Sequence, residues 1–346
     1  MGVMELRTTI KDVANRAGVS PSTVSLVLNK RPVPISQTTR DAVIRAAKEL
    51  HYRPNQLAVG LVTKKTNTIG LIIPDNSNVF FACYSNKIEI AASRMGYNII
   101  FGNTNNDTKK TLEYLQIFAD RGVDGIILTQ SEFSSAEETE RCLTIVRELP
   151  IPVVLIDRVP TGSTEEYVIL DHFEGGYIAF KHLLDMGHRR IGCITGSMTL
   201  SSVAERLDGC KKALAEAGIP YNPALTYEGD LQLQTGVEAL PYLLGQNVTA
   251  IFAFNDMIAY GIYKELRNYK LKIPGDLSVV GFDDIFFSDI IQPPLTTVAQ
   301  PLGEMAEAAV LRLLDIINGN THPEDVSQIF RPVLKVRGST RRIPQD

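Results

Sequence analysis

Four aspartates each close an apolar run rich in β-branched residues. They are Asp75 after IGLIIP, Asp157 after VVLI, Asp256 after FAFN and Asp283 after VVGF. Carboxylates accept hydrogen bonds only, so a set of them suits the vicinal hydroxyls of a sugar better than an anion. In open α/β sheets, residues at such strand ends border the crevice where ligands bind. Arg206 adds a planar fork for paired oxygens, and Phe80 or Phe81 an apolar face. The plainer role for each aspartate is to cap the helix that follows, and Asp256 is the most evenly poised between the two. Catalysis finds no support. The first strand-to-helix turn, IPDNSNVFF, lacks G-x-G-x-x-G, and no G-x-x-x-x-G-K-[ST], H-E-x-x-H or G-x-S-x-G occurs. The five histidines are scattered, and His188 in MGHRRIG precedes a strand and reads as a surface or turn residue. The expectation is a binding protein with no catalytic residue, no cofactor and no metal site.

The elements that must position these residues follow from the period of the sequence. TIGLIIPD, YNIIFGN, VDGIILTQ and IPVVLID form one set of strands alternating with helical patterns, and RRIGCITGS, TAIFAFND and LSVVGFDD form a second. Near-continuous apolar strands in βα alternation mean parallel sheets covered on both faces. Two sets imply two lobes with a cleft between them. PPLTTVAQP then leads into a last helix, LGEMAEAAVLRLLDIINGN, and no internal repeat stands out.

The chain's 346 residues suit two or three domains, and 44% hydrophobic content supports a real core. No apolar run reaches the roughly 18 residues of a membrane span. MGVMELRTTIKDVA has no secretion-signal pattern, and Cys83, Cys142, Cys193 and Cys210 form no C-x-x-C pair. Reduced, idle thiols and a cytoplasmic location are the expectation. The net charge of −4 hides an asymmetry: residues 1–65 carry eleven Lys/Arg against four Asp/Glu, a formal +7, and the remainder −11. A basic head on an acidic body points to a polyanion partner for the head alone.

Three helices fit the head. In IKDVANRAG, Ile10, Val13, Ala14 and Ala17 share a face and Gly18 suits the residue past the end. The second begins with Ser20 as N-cap and Pro21 at its first position; it buries Val24, Val27 and Leu28 and turns Ser22, Ser25, Leu26 and Asn29 elsewhere. The third starts near Ser36. A short Gly-containing turn between the first two makes a helix-turn-helix, whose small hydroxyl residues can approach a DNA backbone closely. After Tyr52, NQLAVGLV is two turns of helix too short to stand alone in water, and its exposed leucines suggest ordering against DNA or a partner copy.

From Thr9 to about Thr340 the chain resembles the LacI-type transcriptional regulators, the bacterial family of the lac and purine repressors. TIKDVANRAGVSPSTVSLVLN, TTRDAVIRAAKELHYRPN, FEGGYIAFKHLLDMGHRRIG, FNDMIAYG and SVVGFDD match the family pattern in order. The resemblance implies an α/β fold class: a three-helix helix-turn-helix head (1–53), a hinge helix and linker (54–67), and a two-lobed, periplasmic-binding-protein-like core of two parallel sheets (68–346). It places Pro21, Ser22 and Leu26 where base edges are read, and Ser20, Thr23, Ser25 and Asn29 where phosphates are contacted. Leu61 matches the hinge leucine that wedges into the minor groove. Asp157, Arg206, Asn255, Asp283 and Gln300 fall on effector-contact positions with Phe80 nearby, and Asp75 joins them on the strand-end argument.

Departures from the family shape the expectation. Leu26 offers only nonpolar contact, and Pro21 and Ser22 read bases poorly, so recognition shifts to DNA shape and the hinge. KRPVPI after Asn29 is longer than usual. Leu200 stands where the purine repressor has an arginine for its ligand, which counts against a purine. The expected partners are double-stranded operator DNA, a second copy of the chain in a homodimer and a small-molecule effector, with no membrane. The effector reads as a sugar; a non-sugar metabolite or a protein co-effector is the alternative. GSTRRIPQD carries no leucine heptads for a tetramerising tail. A solute-binding protein of a transport system shares the two lobes but not the basic head, and a Rossmann-type enzyme shares the βα alternation but not the glycine fingerprint.

Overall fold

The computed structural model describes residues 8–29, 33–52, 65–131, 136–160, 163–320 and 327–344. The chain divides into two compact units, Met1–Thr66 and Asn67–Asp346.

The first unit is built on α1 (Ile10–Ala17), α2 (Pro21–Leu28) and α3 (Gln37–Glu49). Each start and stop has a local cause. Thr9 and Asp12 form a reciprocal capping box on α1, and Gly18 ends it at φ 68°, where a side chain would be strained. Ser20 caps α2 by accepting from the Thr23 N–H, and Ser36 caps α3 through Thr39 in the same way. Val13, Ala14, Val24, Val27, Val43, Ala46 and Ala47 make the core. Leu28 is only half-buried at its rim, not interior as its spacing suggests.

The second unit holds two six-stranded sheets. In chain order its elements begin with β1 (Thr68–Ile73), α4 (Val79–Arg94), β2 (Asn98–Asn103), α5 (Thr108–Asp120), β3 (Gly125–Leu128), α6 (Ala136–Glu148), β4 (Val153–Ile156) and β5 (Tyr167–Leu170). The second lobe then brings α7 (His172–Asp185), β6 (Ile191–Thr195), α8 (Ser201–Glu216), β7 (Thr226–Glu228), α9 (Leu233–Gly245), β8 (Ala250–Ala253), α10 (Asp256–Leu266), β9 (Ser278–Asp283), α11 (Phe287–Ile290) and β10 (Thr296–Ala299). Finally α12 (Leu302–Asn318) and β11 (Ser327–Phe330) return to the first lobe, and β12 (Val333–Lys335) to the second.

The sheet orders are β11-β5-β4-β3-β1-β2 and β12-β10-β9-β8-β6-β7. The described pairings are parallel except β10–β12, which is antiparallel. That edge pairing departs from the all-parallel expectation. The chain enters it from Pro332 only three residues after leaving the other lobe, without the crossover a parallel partner would need. Side chains alternate between the faces of each sheet. Ile69, Leu71 and Ile73 pack toward α4 and α12, while Ile72 joins Leu115, Phe118 and Val146 on the α5/α6 side. In the second lobe α7 and α8 cover one face and α9 and α10 the other. One continuous core joins the α4/α12 layer to the α7/α8 layer, so the two lobes share buried apolar surface. Three segments cross between them: near Asp171, at Gln300–Pro301 and at Arg331–Pro332. Asp171 and Phe330, on two neighbouring crossings, are joined backbone to backbone at 2.8 Å.

Candidate DNA-binding head and ligand cleft

In the head, Ser20, Pro21 and Ser22 are exposed at the start of α2, and Thr23, Ser25, Leu26 and Asn29 are half-buried along it. Their polar atoms are partly engaged at home. The Ser20 and Thr23 hydroxyls lie 2.9 Å apart, and Asn29 donates to the Ser25 hydroxyl at 3.2 Å. The N-terminus of α2 thus presents the Ser22 N–H and small hydroxyls, since Pro21 has no N–H and the Thr23 N–H is taken by Ser20. Leu61 and most of the hinge segment lie outside the described residues.

In the core, the candidate ligand residues converge from both lobes. Asp157 follows β4 at φ 61°, and Asp283 ends β9 at φ 113°. Non-glycine residues held in such conformations cost about 1–3 kcal/mol each, a pattern concentrated at ligand clamps and active sites. Both carboxyls are buried, and loss of water pushes their pKa upward against the pull of Arg206. Arg206, buried on α8, donates to the Phe254 carbonyl at 2.5 Å and to His172 Nδ1 at 3.2 Å. Its guanidinium carbon stacks 3.6 Å from the Phe282 ring centroid, desolvated and rigid. Gln300, on a crossing segment, donates to Asp283 Oδ1 at 2.8 Å.

Asn255 is the N-cap of α10, accepting from Ile258 N–H at 2.8 Å and donating to the Leu231 carbonyl at 2.7 Å. It therefore fixes Leu231, an apolar residue held at φ 61°. Phe80 is buried in the core edge-on to Phe81, and it is Phe81 that reaches the mouth of the cleft. Asp75 sits at that mouth, half engaged as a cap for Ser77.

Asp256 does not take part in this set. It accepts from Ile285 N–H, Ser288 and Thr297, at 3.0, 2.6 and 2.6 Å, and so ties the loop after β9 to β10. The neighbouring acid, Asp284, pairs with Arg337 at 2.6 Å. His188 is buried, not at the surface. Its ring bridges Thr249 at 2.9 Å and the Arg341 carbonyl at 3.2 Å, a turn role inside the protein.

The pattern of the sequence did not reveal Tyr84, Arg158 or His172. Tyr84 lies one helical turn beyond Phe80, a spacing that puts both on one face of α4. Its buried hydroxyl, close enough to Asp157 to feel its charge, has no protein partner. Arg158 directly follows Asp157, the one adjacency that would have signalled it. His172 opens α7 after a strand too short to read; its pKa lies well below the ordinary value through burial and then the Arg206 charge. Gln300 Oε1 is likewise buried without a partner, while His172 bonds to the Asp157 backbone. Buried polar atoms are nearly always satisfied, so two such atoms, Tyr84 Oη and Gln300 Oε1, beside one charged cluster mark a place built to bond something else. Among the described residues no group of His, Cys, Asp or Glu is arranged to hold a metal ion, and no helix is long and apolar enough to cross a membrane.

A helix-turn-helix head joined to a two-lobed ligand-binding core defines a ligand-responsive DNA-binding regulator. Residues 9–55 match the model of bacterial regulatory proteins of the lacI family, and residues 180–340 a periplasmic binding protein-like domain. The HTH-type transcriptional repressor PurR of Vibrio campbellii is 36% identical over 337 residues, 97% of this chain and 99% of that one. The structure of a transcriptional regulator CelR–cellobiose complex is 31% identical, with a TM-score of 0.72 over 96% of this chain and 100% of that one. The lac repressor dimer bound to operator and an anti-inducer superimposes with a TM-score of 0.87 at 26% identity, over 97% of this chain and 100% of that one. The chain belongs to the LacI family of bacterial DNA-binding transcriptional regulators.

Proposed function

We propose that the protein is a repressor that binds a near-palindromic operator as a homodimer, through a head of residues 1–53 and a hinge of residues 54–67. A carbohydrate held in the cleft of the 68–346 core controls that binding. The observation that carries the effector reading is the floor of the cleft: two buried carboxyls and one buried guanidinium from the two lobes, with the unpartnered Tyr84 Oη and Gln300 Oε1 beside them. Acceptors outnumber cations there, which favours neutral hydroxyls over phosphate. The cellobiose complex of a relative supports the same class, and the apolar Leu200 at the start of α8 offers no hydrogen bond to a nucleobase. Exposed Phe286, Phe287 and Ile290 on and beside α11 supply apolar surface for a second copy. The operator-bound lac repressor dimer supports the two-fold arrangement.

The test is thermal unfolding of the full chain against a panel of neutral saccharides, sugar phosphates and nucleobases. A ligand at about 100 times its Kd adds roughly 2.7 kcal/mol to stability. The expected result is an upward shift with a neutral saccharide that disappears in Asp283→Ala and that alters operator binding in parallel. A shift with nucleobases alone, or one that survives Asp283→Ala, overturns the reading.

A further inference from the structure

The two lobes are tied to each other at one strand end. The hydroxyl of Ser201, the first residue of α8 in the second lobe, donates to the Val159 carbonyl at 2.7 Å. Val159 is buried in the first-lobe core with Phe118, Val146 and Leu155, so its carbonyl is fixed to that lobe. Two residues earlier, His172 at the start of α7 bonds to the Asp157 backbone. The segment Asp157–Val159 is thereby held from the second lobe at two points of its backbone. Between those points Arg158 fastens it to the first lobe, donating to Asn106 at 2.9 Å. Leu200, buried beside Ser201, seats the start of α8 in the core that the lobes share.

Resting on the ligand-controlled reading above, we propose that Ser201 and His172 form an inter-lobe latch that biases the ligand-free core toward its closed arrangement. A hydroxyl bonded to a carbonyl inside the protein counts for more than a surface contact, because opening leaves that carbonyl unpaired until water reaches it. The bond sits on the helix that carries Arg206, so one rigid element holds both the latch and the guanidinium of the cleft. Arg206 also donates to His172 at 3.2 Å, which joins the two halves of the latch. Lobes tied by a discrete set of bonds have distinct open and closed states, and removing one bond shifts their populations. The latch therefore gates entry to the cleft and exit from it.

Hydrogen–deuterium exchange of the full chain without any added small molecule, on wild type, Ser201→Ala and Ser201→Thr, tests the latch. In Ser201→Ala, exchange on both rims of the cleft is expected to rise about threefold to tenfold, the effect of losing one net hydrogen bond. The first-lobe rim is read at residues 75–78 and the second-lobe rim at residues 230–235, neither of which bonds to Ser201. Exchange in β1 and α1 should not change. Ser201→Thr keeps the hydroxyl and should exchange like wild type. Faster exchange confined to α8 is local fraying and overturns the latch, as does a rise that Ser201→Thr fails to reverse. Operator anisotropy on the same samples at fixed salt separates the latch from the reading it rests on. A change in operator Kd of about threefold or more in Ser201→Ala, reversed in Ser201→Thr, is expected. Opening of both rims with operator affinity unchanged leaves the latch standing and overturns control of DNA binding through the cleft.

Discussion

Gly176 on α7 lies against the backbone of Arg206 on α8, so close that a methyl group on Gly176 would overlap the Arg206 carbonyl and stand 2.8 Å from its Cα. Gly209 makes the reciprocal approach to the Phe173 carbonyl. The two helices are therefore in backbone contact where Arg206 projects into the cleft. Gly176→Ala must push α8 outward and carry the guanidinium with it. A loss of about 1–3 kcal/mol from overpacking is expected by urea denaturation, with weakened ligand response. Gly245→Ala, with open space around it, is the control and should stay within about 0.5 kcal/mol. Equal behaviour of the two variants would refute the packing argument.

Arg206 compensates two buried carboxyls, and its removal leaves them facing each other. Arg206→Ala should cost about 3–5 kcal/mol, as breaking a buried charge arrangement does. Arg206→Lys should retain part of the stability and lose the ligand, since an ammonium neither stacks on Phe282 nor forks. Denaturation and titration on the same samples separate the two effects; full ligand affinity in Arg206→Lys would contradict the assigned role.

Asp256 gives the core a pH signature. Burial pushes its carboxyl up to about 7, against the three hydrogen bonds that favour the charged form. The fold thus prefers the neutral acid more than the unfolded chain does. The stability this contributes is fully present below the ordinary value near 3.8 and is lost as pH rises through about 7. Between pH 4 and 7, unfolding should release about one proton at this site, and Asp256→Asn should flatten that part of the stability curve. Parallel curves for the two proteins would rule the assignment out.

Leu61 is the residue we propose as the apolar wedge into the operator. Replacing it with alanine forfeits roughly 1.5–3 kcal/mol of apolar burial, so operator affinity should fall at least tenfold at fixed salt. Effector binding to the core should not change. Fluorescence anisotropy with a labelled operator reads the first, and calorimetry the second.

Much of the architecture was legible because its strands are long runs of buried apolar residues, as at β1 and β9. The strands that escaped notice, β5, β7, β11 and β12, are three or four residues long, and β7, β11 and β12 lie at sheet edges where polar residues interrupt the pattern. β10, four residues within PPLTTVAQP, reads in the sequence only as a lead into α12. The shared strand order of the two sheets leaves no repeat in the sequence, since parallel pairing constrains hydropathy and not residue identity. At the cleft, acidic residues at strand ends single out Asp157 and Asp283, and both are buried beside Arg206. The same rule left Asp256 evenly poised, because whether an aspartate faces the cleft or the loop behind it depends on donors such as Ser288 and Thr297, distant in sequence. His172 was hidden for the same reason: its importance comes from Arg206, thirty-four residues away.

The return of the chain to both lobes at its far end sets the timetable of synthesis. The strand at Tyr167–Leu170 waits for its neighbour at Ser327–Phe330, and Thr297–Ala299 waits for Val333–Lys335. A ribosome delivering residues in order can release a finished helix-turn-helix early, but it cannot deliver one lobe complete before starting the other. Both lobes stay open-edged until nearly the whole core has emerged, and they close together.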